Sequence, residues 1–147
     1  DLKSLVRVEL LKGVLQNFQD KCILIGNDLK KFYPKALDTN FDKNFLRKFY
    51  EGNICLDFLA KDGEQSLYPR SIEIIESGGI LAQINTKESS EIFEEYNNQI
   101  TFNSFHEMIE IINKLIKNSN LIDINKFFLK KYNDDKFLKT TLSKLFE

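Results

Sequence analysis

The sequence predicts an α/β domain in which a parallel β-sheet is covered by helices on both faces. Short apolar runs that end at turn residues alternate with segments whose apolar residues recur at helical spacing. Such alternation is typical of right-handed β–α–β crossovers. The chain has 147 residues, of which 42% are hydrophobic, and this suits one domain with a sizeable core. We therefore expect residues 1–147 to form a single domain.

The first third of the chain is expected to hold a helix, a strand and a second helix. Residues 2–19 carry apolar side chains at helical spacing. Residues 22–25 form a continuous apolar run that Gly26 stops, which is typical of a strand buried on both faces. Residues 41–50 place their aromatic and aliphatic side chains on one helical face, and Gly52 stands where a C-cap glycine belongs.

The rest of the chain continues the alternation and then ends in helices. Pro69 suits the first turn of a helix, and Gly78 and Gly79 end that helix. Ser104 and Glu107 make a capping box at the start of a strongly amphipathic helix. The predicted elements are the strands 54–58, 80–84 and 99–102 and the helices 69–77, 89–96, 105–117, 122–132 and 135–146. The whole pattern predicts a Rossmann-like three-layer domain with a parallel sheet of about four to five strands and C-terminal helices.

Charge and residue usage argue against several classes of function. The chain has 21 basic and 22 acidic side chains, whereas a nucleic-acid binder carries a basic excess. His106 is the only histidine, and Cys22 and Cys55 lie far apart and are expected to be reduced core residues. No apolar run approaches the roughly 18 residues of a spanning helix, and no leader opens the chain. We expect a soluble cytoplasmic domain with no nucleic-acid partner, bound metal, resident cofactor or transmembrane segment.

A candidate site lies in the loops that follow the strands, where a parallel sheet binds its ligands. The phosphate-binding motifs GxGxxG and GxxxxGK[ST] are absent. The helix that begins near Pro69 instead offers unpaired backbone N–H groups and the positive end of its dipole. Arg70 and Glu73 lie three residues apart on one face, and this pair suits the phosphates and ribose hydroxyls of a nucleoside diphosphate. A plain surface ion pair is the alternative interpretation.

An ordered set of motifs from about residue 49 to residue 118 resembles a known family. The set comprises Tyr50, Ile54-Cys55-Leu56, Arg70-Ser71-Ile72-Glu73, Gly78-Gly79-Ile80-Leu81, Glu91-Ile92-Phe93 and Phe105-His106-Glu107-Met108-Ile109. It resembles the C-terminal domain of bacterial glycosyltransferases of the GT-B architecture, particularly the group-1-like and spore-maturation-protein-like (CgeB-like) members. The final segment of the chain also looks like the closing helices of that family.

The resemblance implies roles for five residues. Glu73 matches the glutamate that holds the ribose hydroxyls, and Arg70 matches the basic residue near the diphosphate. Gln65 stands where many retaining relatives carry a second glutamate that touches the donor sugar, so this part of the pattern differs. Thr86 and Lys87 lie in the turn where relatives place backbone donors near phosphate, although the turn lacks the glycines of the relatives.

The resemblance also implies a partner and a setting. The chain would be the donor-binding half of a hexosyltransferase-like enzyme, which moves a sugar from a nucleotide diphosphate sugar to a glycan, a protein or another acceptor. The acceptor domain would precede Asp1, so the isolated chain is expected to be inactive. An enzyme of this kind would build cell-surface polysaccharide from the cytoplasm, with a peripheral position at the inner face of the membrane as one option.

Two other interpretations of the sequence stay open. The first is a non-catalytic α/β regulatory or interaction module of receiver-like topology, to which Asn27, Asp28 and Asp57 give a partial match. The second is part of another sugar-nucleotide enzyme, such as an epimerase. This enzyme would bind the same ligand without a separate acceptor.

Overall fold

A computed structural model describes residues 2–26, 29–31, 33–38, 43–58, 69–118 and 121–132. These residues form seven α-helices, three strands and short 3-10 turns. The helices are α1 (Leu2–Phe18), α2 (Lys43–Tyr50), α3 (Pro69–Glu76), α4 (Lys87–Phe93), α5 (Asn97–Ile100), α6 (Phe105–Lys117) and α7 (Leu121–Tyr132), and the strands are β1 (Ile54–Asp57), β2 (Ile80–Ile84) and β3 (Thr101–Phe102).

The three strands form one parallel sheet in the order β1-β2-β3. Ile54 pairs with Ile80 and Asp57 with Gln83, so β1 and β2 are in register from end to end. Gln83 also pairs with Thr101 of β3. The prediction of an α/β fold with a parallel sheet is therefore confirmed.

Helices cover both faces of the sheet because successive residues of β2 point in opposite directions. Ala82 packs in a core cluster with Val14 of α1 and Met108 of α6. Leu81 packs in a second cluster with Ile74 of α3 and Phe128 of α7. The continuous apolar runs of β1 and β2 follow from this arrangement, because a strand between two helical layers buries both of its faces.

The predicted strand 22–25 is wrong. Ile25 makes only an isolated parallel bridge with Leu37, and Ile23 is 57% exposed. An apolar run becomes a sheet strand only where neighbouring strands pair with it, and the described residues supply only one bridge. The predicted sheet of four to five strands is thus reduced to three strands in the described part of the chain.

The predicted strand 99–102 is shorter than expected. Asn97–Ile100 is a turn of helix, and only Thr101 and Phe102 pair with β2. The Thr101 hydroxyl donates to the Asn97 carbonyl oxygen at 2.8 Å, which stabilises this turn immediately before the strand. The helix predicted over 135–146 lies outside the described residues.

The predicted helix ends are largely confirmed. Gly52 and Gly78 have φ of 70° and 75°, the left-handed conformation that glycine adopts most readily. Ser104 accepts from the Glu107 N–H, but the Glu107 carboxylate accepts from the backbone N–H of Asn103 rather than from that of Ser104. Half of the predicted capping box of α6 is therefore present, and the other half is made with Asn103 in place of Ser104. Over the described ranges, no helix combines the length and the apolar character that crossing a bilayer requires.

Candidate functional site

The carboxyl ends of β1 and β2 meet at one edge of the sheet because the two strands are parallel and in register. β1 ends at Asp57, and β2 ends at Ile84, three residues before α4 begins. This carboxyl edge is where ligands bind in open parallel sheets.

The start of α3 is attached to this edge by a buried hydrogen bond. Ser71 lies in the first turn of α3, and its hydroxyl donates to a carboxylate oxygen of Asp57 at 2.9 Å. The two residues are 0% and 2% exposed. Because a buried carboxylate is strongly stabilised by such donors, the contact holds the helix start against the strand end. Arg70 is the residue before Ser71 and is exposed.

Glu73 lies one turn further along α3 and is half-buried. Its Oε1 atom is buried and has no hydrogen-bond partner in the part of the chain that the structure describes. This oxygen therefore accepts no hydrogen bond from Arg70. A buried acceptor without a donor is costly, and such atoms are commonly satisfied by a ligand or by water.

The pKa of Tyr50, at the end of α2, is affected by burial and by the charges of Glu73 and Arg70. Burial raises the pKa of the Tyr50 phenol, and the negative charge of Glu73 raises it further, whereas Arg70 acts in the opposite direction. Tyr50, Glu73 and Arg70 are thus close enough to interact electrostatically.

A row of buried polar residues crosses the sheet beside this group. Asp57, Gln83 and Thr101 are partners on adjacent strands and are 2%, 0% and 6% exposed. In-register side chains share one face of the sheet. This face carries Leu81 and the α3 cluster, because Gln83 lies two residues after Leu81.

Thr86 and Lys87 lie at the same edge, where α4 begins. Thr86 is the N-cap: its hydroxyl accepts from the Ser89 N–H at 3.0 Å, and the Ser89 hydroxyl accepts from the Thr86 N–H at 2.9 Å. Since this reciprocal capping box occupies the Thr86 side chain, it fixes the turn rather than offering a ligand contact. Lys87 is exposed.

A network of polar side chains lies beneath the start of α4. The amide Oδ1 of Asn85 accepts from Asn97 Nδ2 at 2.9 Å and from the hydroxyls of Ser89 and Ser90 at 3.3 and 3.2 Å. The Asn97 Oδ1 atom is buried and has no partner among the described residues. The network joins the end of β2 to the turn before β3.

The structure brings four of the five predicted site residues to one edge. Arg70 and Glu73 lie in α3, and Thr86 and Lys87 lie at the start of α4. Gln65 lies outside the described residues. The sequence analysis did not identify Gln83, although the signal was present: it is the one polar residue in the apolar run 80–84.

Other reactive side chains lie apart from this edge or are inert. Burial raises the pKa of the Cys55 thiol to about 12, so this thiol stays protonated at neutral pH. Burial also raises the pKa of Cys22. His106 is on the surface, 3.4 Å from Glu110. Within the described ranges, no three His, Cys, Asp or Glu side chains group as they would around a metal ion.

A surface depression of about 400 Å³ lies away from the carboxyl edge. Its lining comes from the end of α1 and the second half of α6 and includes Phe18, Asn113 and Ile116. None of the four predicted site residues that the structure describes lines it. Comparison of the chain with protein-family models, with curated proteins and with solved structures finds no match.

Proposed function

We propose that this chain is a Rossmann-like donor-binding domain of a glycosyltransferase, which takes a sugar from a nucleotide diphosphate sugar. The observation that carries the proposal is the buried, unpartnered Oε1 of Glu73, on a helix whose start is attached to the carboxyl edge of a parallel sheet. The ordered motifs that resemble glycosyltransferase C-terminal domains support it.

The proposed roles follow from the chemistry of each group. Glu73 Oε1 accepts hydrogen bonds from the ribose hydroxyls, which supply the donors that it lacks in the described chain. Arg70 presents a planar fork of donors to the diphosphate, and the start of α3 adds the positive end of its dipole. Together they stabilise the negative charge that develops on the departing nucleoside diphosphate.

Lys87 and Thr86 take secondary roles in this proposal. Lys87, exposed in the first turn of α4, is a second cation at the edge. Thr86 only fixes the start of α4 and contacts no ligand in this proposal, because its hydroxyl and its backbone N–H are both engaged with Ser89. Gln65 remains a predicted contact to the donor sugar. The family resemblance implies that a separate domain binds the acceptor and supplies any base that activates it.

Calorimetric titration with UDP, GDP, ADP and CDP tests the proposal. We expect at least one nucleotide to bind, and Arg70→Ala and Glu73→Gln each to weaken its affinity by about tenfold or more, since a hydrogen bond to a charged group contributes about 1.5–3 kcal/mol. Glu76→Gln, an exposed change on the same helix, and Arg47→Ala, an exposed change on α2, are the controls and should leave affinity within about twofold. Binding of no nucleotide, or unchanged binding by both site variants, would overturn the proposal.

The two alternatives give different outcomes. A receiver-like module would use Asp57 as a phosphate acceptor, but this carboxylate is 2% exposed and accepts from Ser71, while Asn27 and Asp28 lie outside the described residues. An epimerase-like enzyme would bind the same nucleotide and convert its sugar without an acceptor. The glycosyltransferase proposal expects neither conversion nor transfer by this chain alone, so robust turnover of either kind would contradict it.

A further inference from the structure

Gln83 is the most unusual buried residue at the carboxyl edge. It is the penultimate residue of β2 and 0% exposed. Neither its amide oxygen nor its amide nitrogen has a hydrogen-bond partner among the residues that the structure describes. A buried amide of this kind lowers stability, whereas an apolar side chain of the same length would not.

The neighbours of Gln83 are satisfied elsewhere. On one side, a carboxylate oxygen of Asp57 is bound by Ser71, and on the other side the Thr101 hydroxyl donates to the Asn97 carbonyl. Gln83 lies between these two partners in the row across the sheet. Gln83 also lies three residues before Thr86, the N-cap of α4. Its partner on β1, Asp57, accepts the hydrogen bond from Ser71 of α3. Gln83 thus lies near the carboxyl end of β2, in register with Asp57, to which the start of α3 is attached.

The unmatched atoms define the ligand chemistry. The amide oxygen needs a donor and the amide nitrogen needs an acceptor, so an anion alone or an apolar group would satisfy at most one of them. Two neighbouring hydroxyls satisfy both, because each hydroxyl can donate and accept. Asn97, in the turn before β3, carries a second buried acceptor without a partner in the described chain.

We propose that Gln83 recognises a pair of neighbouring hydroxyl groups on the ligand and thereby determines specificity. The proposal rests on the proposed function, because it places this hydroxyl pair on a nucleotide diphosphate sugar. Two parts of that ligand carry such pairs: the ribose and the transferred sugar. Gln has three rotatable side-chain bonds, so a rotamer change can present the amide to a ligand at the strand end.

The test combines stability with binding. Gln83→Met keeps the length of the side chain and removes both unmatched atoms, and Gln99→Met is the control on an exposed glutamine. We expect Gln83→Met to shift the urea midpoint upward while ligand affinity falls about tenfold, the loss typical of one strong hydrogen-bonding contact. The ligands are the nucleoside diphosphate that wild type binds best, its 2′-deoxy analogue and its glucose conjugate.

Each pattern of affinities has a distinct meaning. If Gln83→Met binds the nucleotide more weakly than wild type does but binds the 2′-deoxy analogue equally well, the recognised pair is on the ribose. If Gln83→Met loses affinity only for the glucose conjugate, the recognised pair is on the transferred sugar. Unchanged affinity of Gln83→Met for all three ligands would overturn this inference alone. If the urea midpoint of that variant were also lowered, the amide would be shown to stabilise the fold. Failure of wild type to bind any nucleotide would overturn the proposed function and this inference together.

A measurement on the wild-type chain covers the case in which Gln83→Met does not fold. The side-chain NH₂ resonances of Gln83 can be assigned by comparison with Gln83→Asn, which retains a shorter amide. These resonances should shift on addition of the ligand, and those of Gln99 should not. Equal shifts at both residues, or none at Gln83 when the ligand is bound, would contradict the proposal.

Discussion

The Ser71 hydroxyl lies 2.9 Å from a carboxylate oxygen of Asp57 and donates a hydrogen bond to it. The contact joins the first turn of α3 to the last residue of β1, and both residues are buried. Ser71 stands between Arg70 and Glu73 in the chain, so this hydrogen bond, together with the burial of Ile74 and Ile75 in the core, positions both proposed ligand contacts. Loss of this hydrogen bond should therefore affect both the stability of the fold and the proposed binding of a nucleotide.

We therefore predict that Ser71→Ala lowers the free energy of unfolding by about 1–3 kcal/mol, because it removes a donor from a buried carboxylate. Urea unfolding measures this change. Ser77→Ala is the matched control on the following turn, where the hydroxyl only supplements a helical bond to the Glu73 carbonyl. Equal effects of the two changes would mean that the Ser71–Asp57 hydrogen bond contributes no more to stability than the bond of the half-buried Ser77 hydroxyl.

The capping box of α4 makes a second prediction. Thr86→Ala and Ser89→Ala should each destabilise the fold by about 0.5–2 kcal/mol, and the double variant should lose less than the sum, because each hydroxyl acts through the other. Thr86→Ser should keep both stability and nucleotide affinity. A loss of affinity in Thr86→Ser at unchanged stability would instead assign its methyl group a direct ligand contact.

The sequence predicted the elements that depend on local pattern. β2 and α6 were found because a buried apolar run and an apolar stripe with a cap are sufficient to specify them. The prediction of a strand over 22–25 was wrong because a strand also needs a partner strand, and an apolar run carries no information about whether one lies beside it. Residues 97–100 form a helical turn whose first residue, Asn97, bonds to Asn85, twelve residues away, and such a contact leaves no periodic signal in the sequence.

The candidate site was predictable to a similar extent. Arg70 and Glu73 could be placed on one helix by spacing, and the parallel sheet brought Lys87 to the same edge. The burial of Glu73 Oε1 could not be predicted, since it depends on the packing of α3 against its neighbours. Gln83 stands out in the sequence as the polar residue of the apolar run 80–84, but its complete burial and its register with Asp57 on another strand could not be read from that run.

Gly79 and Gly52 should respond very differently to alanine. An added Cβ at Gly79 would lie 2.9 Å from the carbonyl oxygens of Ile74 and Tyr50, both backbone atoms, whereas at Gly52 it would meet nothing. Gly79→Ala should therefore lower stability by about 3 kcal/mol through overpacking. Gly52→Ala should lower it by only about 1 kcal/mol, for its left-handed φ. Thermal or urea unfolding measures both, and the reverse order would contradict the packing of α3 against α2.

Cys55 on β1 gives a prediction for alkaline pH. Burial raises the pKa of its thiol from 9.0 to about 12, so between these values the unfolded chain loses a proton that the folded chain retains. The unfolded state then binds fewer protons, and stability falls as pH rises through this window. The loss attributable to Cys55 should reach about 2 kcal/mol between pH 8 and pH 10.5.

The comparison that isolates this effect is wild type against Cys55→Ala, under reducing conditions. The stability advantage of wild type should shrink as pH rises, because only wild type carries the titrating thiol at this position. Tyr50, whose pKa burial also raises, titrates in both proteins, so the effect of its burial cancels and only its smaller interaction with the charge of Cys55 differs. Cys22→Ala, at a less deeply buried thiol, should change the pH slope less. If the difference in the free energy of unfolding between wild type and Cys55→Ala were independent of pH, the thiol would be in contact with water in the folded chain. That result would contradict its burial between β1 and Tyr50.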